Sequence, residues 1–155
     1  MEKKKSILMV CLGNICRSPM ADGLLRKKVK DNALDVFVDS AGTGDYHVGE
    51  APDKRMRETA SAKKYPIDEL RARQFTKADF QEFDRIYVMD KSNRDNVLRL
   101  AQSTEDRQKV KLILDELYPG EGREVPDPYF GGQQGFEDVF QMLDLATDKI
   151  IEQLK

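Results

Sequence analysis

The sequence predicts an α/β domain in which about four parallel strands carry helices on both faces. Short apolar runs alternate with longer segments of helical periodicity along the whole 155-residue chain, a pattern typical of parallel sheets. No linker, repeat or low-complexity tract interrupts this alternation, and the length suits one domain. We therefore expect a single three-layer αβα domain over residues 1–155.

The first half of the chain is predicted to form two strands and two helices. Residues 7–10 (ILMV) are a continuous apolar run, typical of a strand covered on both faces. A helix is expected to begin at Ser18-Pro19, because Ser caps helix N-termini and Pro favours the first helical position. Residues 36–38 (VFV) form the second predicted strand, and residues 52–64 the second helix.

The second half continues the alternation. Thr76 and Asp79 have the spacing of a capping box ahead of two phenylalanines. The remaining predicted elements are a strand over 86–89, a helix over 90–102, a strand over 111–114, a long loop over 119–134 and an amphipathic helix over 136–154.

Composition excludes several classes of function. The 26 basic and 28 acidic residues give a net charge of −2, which does not favour nucleic-acid binding. The single histidine, His47, is expected at the surface and excludes a three-histidine site. Two cysteines, Cys11 and Cys16, are too few for a four-cysteine zinc site.

The hydropathy pattern bears on localisation. No apolar run approaches the roughly 18 residues of a membrane span. The run at 7–10, behind Lys3, Lys4 and Lys5, is too short for a signal-peptide core. We therefore expect a cytoplasmic protein with reduced thiols, although export without a signal peptide stays open.

Cys11, at the end of the first predicted strand, precedes Arg17 and Ser18 by a short loop. A nucleophilic cysteine must be a thiolate, and a cysteine pKa falls at a helix N-terminus and beside a cation. The same setting binds a phosphate dianion through backbone N–H groups and through bidentate bonds from Arg17. Gly13 permits the turn that such a loop needs. From the residues alone, two cysteines behind a strand could equally be small core residues.

Residues 10–19 (VCLGNICRSP) resemble the signature of the low-molecular-weight protein tyrosine phosphatases. The resemblance extends over most of the chain, through residues 39–43 (DSAGT), 72–74 (ARQ), 89–90 (MD), 92–93 (SN) and 127–129 (DPY). It implies two-step hydrolysis of phosphotyrosine and small aryl phosphates through a cysteinyl-phosphate, with no metal and no cofactor. Phosphotyrosine-containing proteins would be the partners, and we expect a monomer.

The resemblance also implies roles for individual residues. Cys11 matches the nucleophile, Arg17 the group that grips the equatorial phosphate oxygens, and Ser18 the hydroxyl that stabilises the thiolate. Asn14 and Ser40 match a polar pair that holds the loop in shape. The other predicted phosphate-binding and substrate-binding residues are Leu12, Gly13, Ile15, Cys16, Tyr46 and Tyr129.

Asp127 lies between Pro126 and Pro128, which restrict the backbone and could aim its carboxyl group. Taken alone, Asp-Pro is a common turn pair. The resemblance implies instead that Asp127 is the general acid for the leaving group and then the base for water.

Cys16 could form a disulfide with Cys11. The resemblance implies that Cys16 protects the nucleophile from over-oxidation; the alternative is that it is a small apolar residue that fills space under the loop.

Tyr129, Tyr46 and Ile15 fall where the family has the apolar walls of its cleft. Two positions depart from the common pattern. Phe130 replaces a frequent tyrosine, which removes a hydroxyl from that wall. Leu70 replaces a histidine that belongs to the family's loop-supporting network, so the support of the loop is left open.

Three other functions are compatible with parts of this pattern. An arsenate reductase with this loop needs further cysteines downstream, and none follows Cys16. A protein-arginine phosphatase typically carries Thr at the position of Ile15. A non-catalytic phosphate-binding or thiol redox module would not need an acid at Asp127.

Overall fold

The computed structural model describes residues 5–129 and 131–155. The strands are β1 (Lys5–Cys11), β2 (Val36–Gly42), β3 (Arg85–Val88) and β4 (Val110–Leu112). The helices are α1 (Arg17–Asp31), α2 (Lys54–Ala62), α3 (Asp79–Glu82), α4 (Lys91–Leu98), α5 (Thr104–Gln108) and α6 (Gln133–Leu154), with a 3-10 helix at Ile113–Glu116. The strands form one parallel sheet in the order β2-β1-β3-β4.

The sheet is buried on both faces because side chains of β1 alternate between two apolar clusters. Ile7 and Met9 join the cluster that includes α1 and α6. Leu8 and Val10 face the other way, into a cluster with Phe80 of α3 and Val97 of α4, among others. This arrangement confirms the predicted three-layer α/β fold.

Helix α1 begins two residues earlier than predicted, at Arg17 instead of Pro19. Cys16 occupies the N-cap position, so Ser18 is the second helical residue and caps nothing. Pro19 still fits, because the N–H groups of the first helical turn have no intrahelical partner in any case. The hydroxyl of Ser18 is thereby available for contacts in the loop before the helix.

The last predicted strand is shorter than expected. β4 ends at Leu112, and the apolar residues Ile113 and Leu114 lie in the 3-10 helix, where both are buried. A short apolar run does not distinguish the two conformations. Similarly, α4 ends at Leu98, and Ser103 begins the unpredicted α5 by accepting a hydrogen bond from the Asp106 amide at 3.1 Å.

The carboxyl ends of the three neighbouring strands β2, β1 and β3 meet at one edge of the sheet. Residues 73–75 extend this edge: the Gly42 amide donates to the Arg73 carbonyl at 2.8 Å, and the Phe75 amide donates to the Gly42 carbonyl at 2.7 Å. The loop after Cys11 lies at this edge, where parallel sheets bind ligands. In the described ranges, no helix is long and apolar enough to cross a membrane.

Asp22 is a carboxyl group fully buried on α1, beneath the sheet edge. Arg26 donates to its two oxygens at 3.0 and 3.1 Å. Burial raises the pKa of Asp22 to about 6, even though the Arg26 charge and hydrogen bonds from Arg26 and Ser40 oppose this and the Asp39 charge adds to it. The folded protein therefore holds this proton to higher pH than the unfolded chain does.

We expect Asp22 to make stability depend on pH. Its contribution is present below about pH 4 and is lost as the pH rises through about 6. From about pH 3 to about pH 7 the free energy of unfolding should fall by about 3 kcal/mol relative to Asp22→Asn. Urea unfolding across this range measures the difference, and exposed Asp31→Asn on the same helix is the control. Parallel curves for wild type and Asp22→Asn would contradict the expectation.

Candidate active site

Residues 12–16 form a loop around the Cys11 sulfur. The Asn14 amide donates to Sγ at 3.3 Å, and Ser18 Oγ lies 3.0 Å from it. Ser18 Oγ accepts a hydrogen bond from Asn14 Nδ2 at 2.7 Å, so its one proton is left to donate to the sulfur, the nearer acceptor, or to the Ala41 carbonyl at 3.4 Å. A thiolate at Cys11 would thus receive two donors.

Asn14 holds the loop in an unusual conformation. Its φ of 58° is left-handed, which Asn tolerates better than most residues. The side chain is fixed at both ends, since Nδ2 donates to Ser18 and Oδ1 accepts from the Arg73 amide at 3.0 Å. Ser40 is buried on β2 and hydrogen-bonds Asp22; in the described part of the chain no bond joins it to Asn14.

Arg73 carries the support that the sequence left open at Leu70. Besides its amide bond to Asn14, its guanidinium pairs with Asp39 at 3.1 Å and with Asp79 at 3.0 Å. Leu70 instead packs against the apolar core. The loop is therefore tied to residue 73 through a backbone group that does not titrate.

Arg17 is almost fully buried behind the loop. Its Nη1 donates to Asp90 Oδ2 at 2.6 Å and to the Val125 carbonyl at 3.0 Å. The Val125 amide in turn donates to the Met89 carbonyl at 2.9 Å. These bonds attach the segment before Asp127 to the end of β3, and Asp127 Oδ2 lies 3.8 Å from Arg17 Nη2.

An open cleft of about 160 Å³ lies over the loop. It is lined by Cys11, Leu12, Gly13, Ile15, Cys16, Arg17, Tyr46, His47, Asp127 and Tyr129. The side chains of Asn14, within the loop, and of Ser18, in α1, are buried and hydrogen-bonded to each other. The backbone N–H groups of Gly13, Ile15 and Cys16 donate to no acceptor within residues 5–129 and 131–155. Together with the N-terminus of α1, they form a setting suited to an anion.

The acid loop, residues 125–129, forms one wall of the cleft. Asp127 is partly exposed, and its Oδ1 accepts a hydrogen bond from the Tyr129 amide at 3.0 Å. Phe130, the predicted departure in this wall, lies outside the described residues. Tyr46 is 72% exposed at the mouth of the cleft.

Cys16 lines the same cleft as Cys11, and both are free thiols. Burial raises the pKa of Cys16 well above its usual range, and the carboxylate of Asp53 raises it further. Cys16 therefore stays protonated near neutral pH and does not compete as a nucleophile. Within the described ranges, no three His, Cys, Asp or Glu side chains are grouped to hold a metal ion.

Comparison with known proteins decides the family. Residues 6–155 match the family described as low molecular weight phosphotyrosine protein phosphatase. The chain belongs to this family. The phosphatase of that name from Schizosaccharomyces pombe is 41% identical over 152 residues, which cover 96% of each chain. The resemblance and the predicted enzyme class, a protein-tyrosine phosphatase, are confirmed.

Solved structures of relatives share the fold. A protein tyrosine phosphatase from Entamoeba histolytica, with Hepes in its active site, superposes with a TM-score of 0.89 at 37% identity and covers 97% of this chain and 96% of its own. Vibrio vulnificus Wzb in complex with benzylphosphonate has a TM-score of 0.86 at 27% identity, with 98% and 100% covered.

Three residues of this phosphatase site were not predicted to act in it, although Asp90 and Arg73 lie in segments that resemble the family. Asp90 follows β3 at the ligand-binding edge, so its position was a usable signal. Arg73 acts on Asn14 through its backbone, which leaves no mark in a sequence. His47, expected at the surface, lines the cleft: its Nδ1 bonds Glu50 Oε2 at 3.1 Å, and a Cβ at Gly13 would lie 3.1 Å from its ring.

Replacing Asn14 should separate backbone strain from hydrogen bonding. Asn14→Gly and Asn14→Ala both lose the bonds to Ser18 and Arg73, so both should lower kcat/KM for an aryl phosphate about tenfold or more. The left-handed φ strains Ala but not Gly. The free energy of unfolding of Asn14→Ala should therefore be about 1 kcal/mol lower than that of Asn14→Gly. Wild-type kcat/KM in both variants would show that the side chain does not hold the loop.

Proposed function

We propose that this phosphatase hydrolyses phosphotyrosine in proteins, and small aryl phosphates, through a cysteinyl-phosphate on Cys11. The observation that carries the proposal is the convergence of Cys11, Arg17 and Asp127 on one cleft. The benzylphosphonate bound by the Vibrio relative is an aryl phosphate analogue and supports the same substrate class. Tyr129, Tyr46 and Ile15 suit a flat ring.

In the first step, the Cys11 thiolate attacks phosphorus and the bond to the aryl oxygen breaks. Arg17, the loop amides and the N-terminus of α1 stabilise the charge on the equatorial oxygens. Protonated Asp127 gives its proton to the leaving oxygen, so a neutral phenol departs.

In the second step, water attacks the phosphorus of the cysteinyl-phosphate. Asp127, now a carboxylate, takes a proton from this water. The phosphorus–sulfur bond breaks and inorganic phosphate forms. The hydroxyl of Ser18 stabilises the departing thiolate, which lowers the cost of this step.

Particular side chains favour aryl phosphates over the competing substrates. Ile15 places an apolar group where arginine phosphatases typically carry Thr, and the apolar walls suit a ring. A non-catalytic thiol module does not account for Asp127 beside Arg17.

We further propose that the protein acts as a monomer in the cytoplasm. The proposed substrate class is tested by measuring hydrolysis of phenyl phosphate by the pure protein beside hydrolysis of phosphoarginine and reduction of arsenate. Turnover of phosphoarginine or arsenate without turnover of phenyl phosphate would overturn the proposal.

The nucleophile is tested by Cys11→Ser. Loss of the covalent step should lower kcat by at least about a hundredfold. Binding of inorganic phosphate, measured by calorimetry, should persist because the loop amides and Arg17 remain. Arg17→Ala should lose both rate and phosphate binding. A Cys11→Ser enzyme that keeps more than about a hundredth of kcat would exclude Cys11 as the nucleophile.

The general acid is tested by Asp127→Asn. Because the first step needs an ionised Cys11 and a protonated Asp127, kcat/KM against pH should be bell-shaped with an acidic optimum. The variant should lose the alkaline limb of this profile. It should also slow substrates with poor leaving groups most. A variant with an unchanged profile would mean that another group supplies the proton.

The protective role of Cys16 is tested by oxidation. A thiol close to the nucleophile can convert a sulfenic acid into a disulfide before further oxidation. Wild type treated with peroxide should regain activity with reductant, whereas Cys16→Ser, nearly as active when reduced, should recover poorly. Equal recovery, with no Cys11–Cys16 cross-link in the mass spectrum, would leave Cys16 as packing.

A further inference from the structure

The Arg55 side chain, in the first turn of α2, lies against the chain that follows Asp127. Its Nη2 donates to the Tyr129 carbonyl at 2.8 Å, and its Nη1 donates to the Gly131 carbonyl at 3.4 Å. The guanidinium also lies over two rings, 5.5 Å from the centroid of Tyr129 and 4.6 Å from that of Phe136. This planar fork holds two carbonyls and two rings at once, which a lysine could not do.

Asp53 orients this guanidinium. Its Oδ1 accepts from Arg55 Nε at 3.2 Å and its Oδ2 from Nη2 at 3.1 Å, while Oδ1 also caps α2 by accepting from the Arg55 amide at 2.8 Å. Burial would raise the pKa of Asp53, but the hydrogen bonds and charge of Arg55 hold it below its ordinary value. Asp53 is therefore ionised wherever the enzyme is folded near neutral pH.

The same aspartate is fixed to the loop that surrounds the nucleophile. The Asp53 amide donates to the Ile15 carbonyl at 2.8 Å. On the other side, the Tyr129 amide donates to Asp127 Oδ1 at 3.0 Å. A continuous series of hydrogen bonds thus runs from residues 12–16, the phosphate loop, through Asp53, Arg55 and Tyr129 to the carboxyl group of Asp127.

We propose that Arg55 is a positioning residue for the general acid, anchored by Asp53. It touches none of the reacting atoms; it fixes the distance and orientation of Asp127 relative to the phosphate loop. The inference rests on the proposed role of Asp127. Loss of Arg55 should weaken proton delivery to the leaving oxygen and should leave phosphate binding intact, because Arg17 and the loop amides do not depend on it.

The test compares two leaving groups in Arg55→Met. For phenyl phosphate, whose leaving group needs the proton, kcat/KM should fall about tenfold. For 4-nitrophenyl phosphate, whose leaving group departs more readily, it should fall less than about threefold. The inhibition constant of inorganic phosphate should stay within about twofold. Arg57→Met is the matched control, because Arg57 binds the Pro52 carbonyl and Asp68 and has no bond to the acid loop.

A double-mutant cycle with Asp127→Asn separates this inference from the assignment of the acid. In the Asp127→Asn background, Arg55→Met should change kcat/KM for phenyl phosphate by less than about twofold. A tenfold loss that persists there, or an equal loss for both substrates, would overturn the role of Arg55. If Asp127→Asn instead lowers kcat/KM equally for both substrates, the assignment of Asp127 as the general acid would be overturned.

Asp53→Asn keeps the inference testable if Arg55→Met folds poorly. Asn caps helices as well as Asp does, so α2 is retained while the ion pair with Arg55 is lost. The same leaving-group dependence is expected, at a smaller amplitude than in Arg55→Met. Wild-type kcat/KM for both substrates in a folded Asp53→Asn would contradict the proposal.

Discussion

Arg17 brings a full positive charge into an almost closed environment, where Asp90 balances it at 2.6 Å. A buried charge of this kind is tolerated only when it is paired and hydrogen-bonded. Its remaining bond to the Val125 carbonyl fixes the start of the acid loop. One guanidinium therefore joins the first helix, the end of β3 and the acid loop, and the position of Asp127 depends on it.

The phosphate loop uses neutral donors where a second charge would be costly. The Cys11 sulfur has the Asn14 amide and the Ser18 hydroxyl within bonding distance. Cys16, five residues away, is surrounded by apolar groups and the Asp53 carboxylate, which keep it protonated. Two chemically identical thiols in one cleft thus have different surroundings, because hydrogen-bond donors lie beside the Cys11 sulfur whereas burial and a carboxylate surround Cys16.

The fold and the position of Cys11 were predictable because their signals are local. The apolar run before Cys11 and the helix after it fix this residue at the sheet edge. Contacts between distant segments left no such signal. Support of Asn14 comes from a backbone amide at residue 73, and His47 reaches the cleft only because its loop folds over Gly13. At Ile113 and Leu114 the apolar pattern was correct, but burial in a 3-10 helix satisfied it as well as a strand would.

The central claim is that phosphate passes through a covalent bond to Cys11. Rapid quenching in denaturant during turnover of 4-nitrophenyl phosphate, followed by mass spectrometry of the peptide that contains Cys11, tests it directly. We expect phosphate on Cys11 in wild type and on no residue of Cys11→Ser. Phosphate on another side chain, or steady turnover with no modified peptide at any time point, would contradict the account.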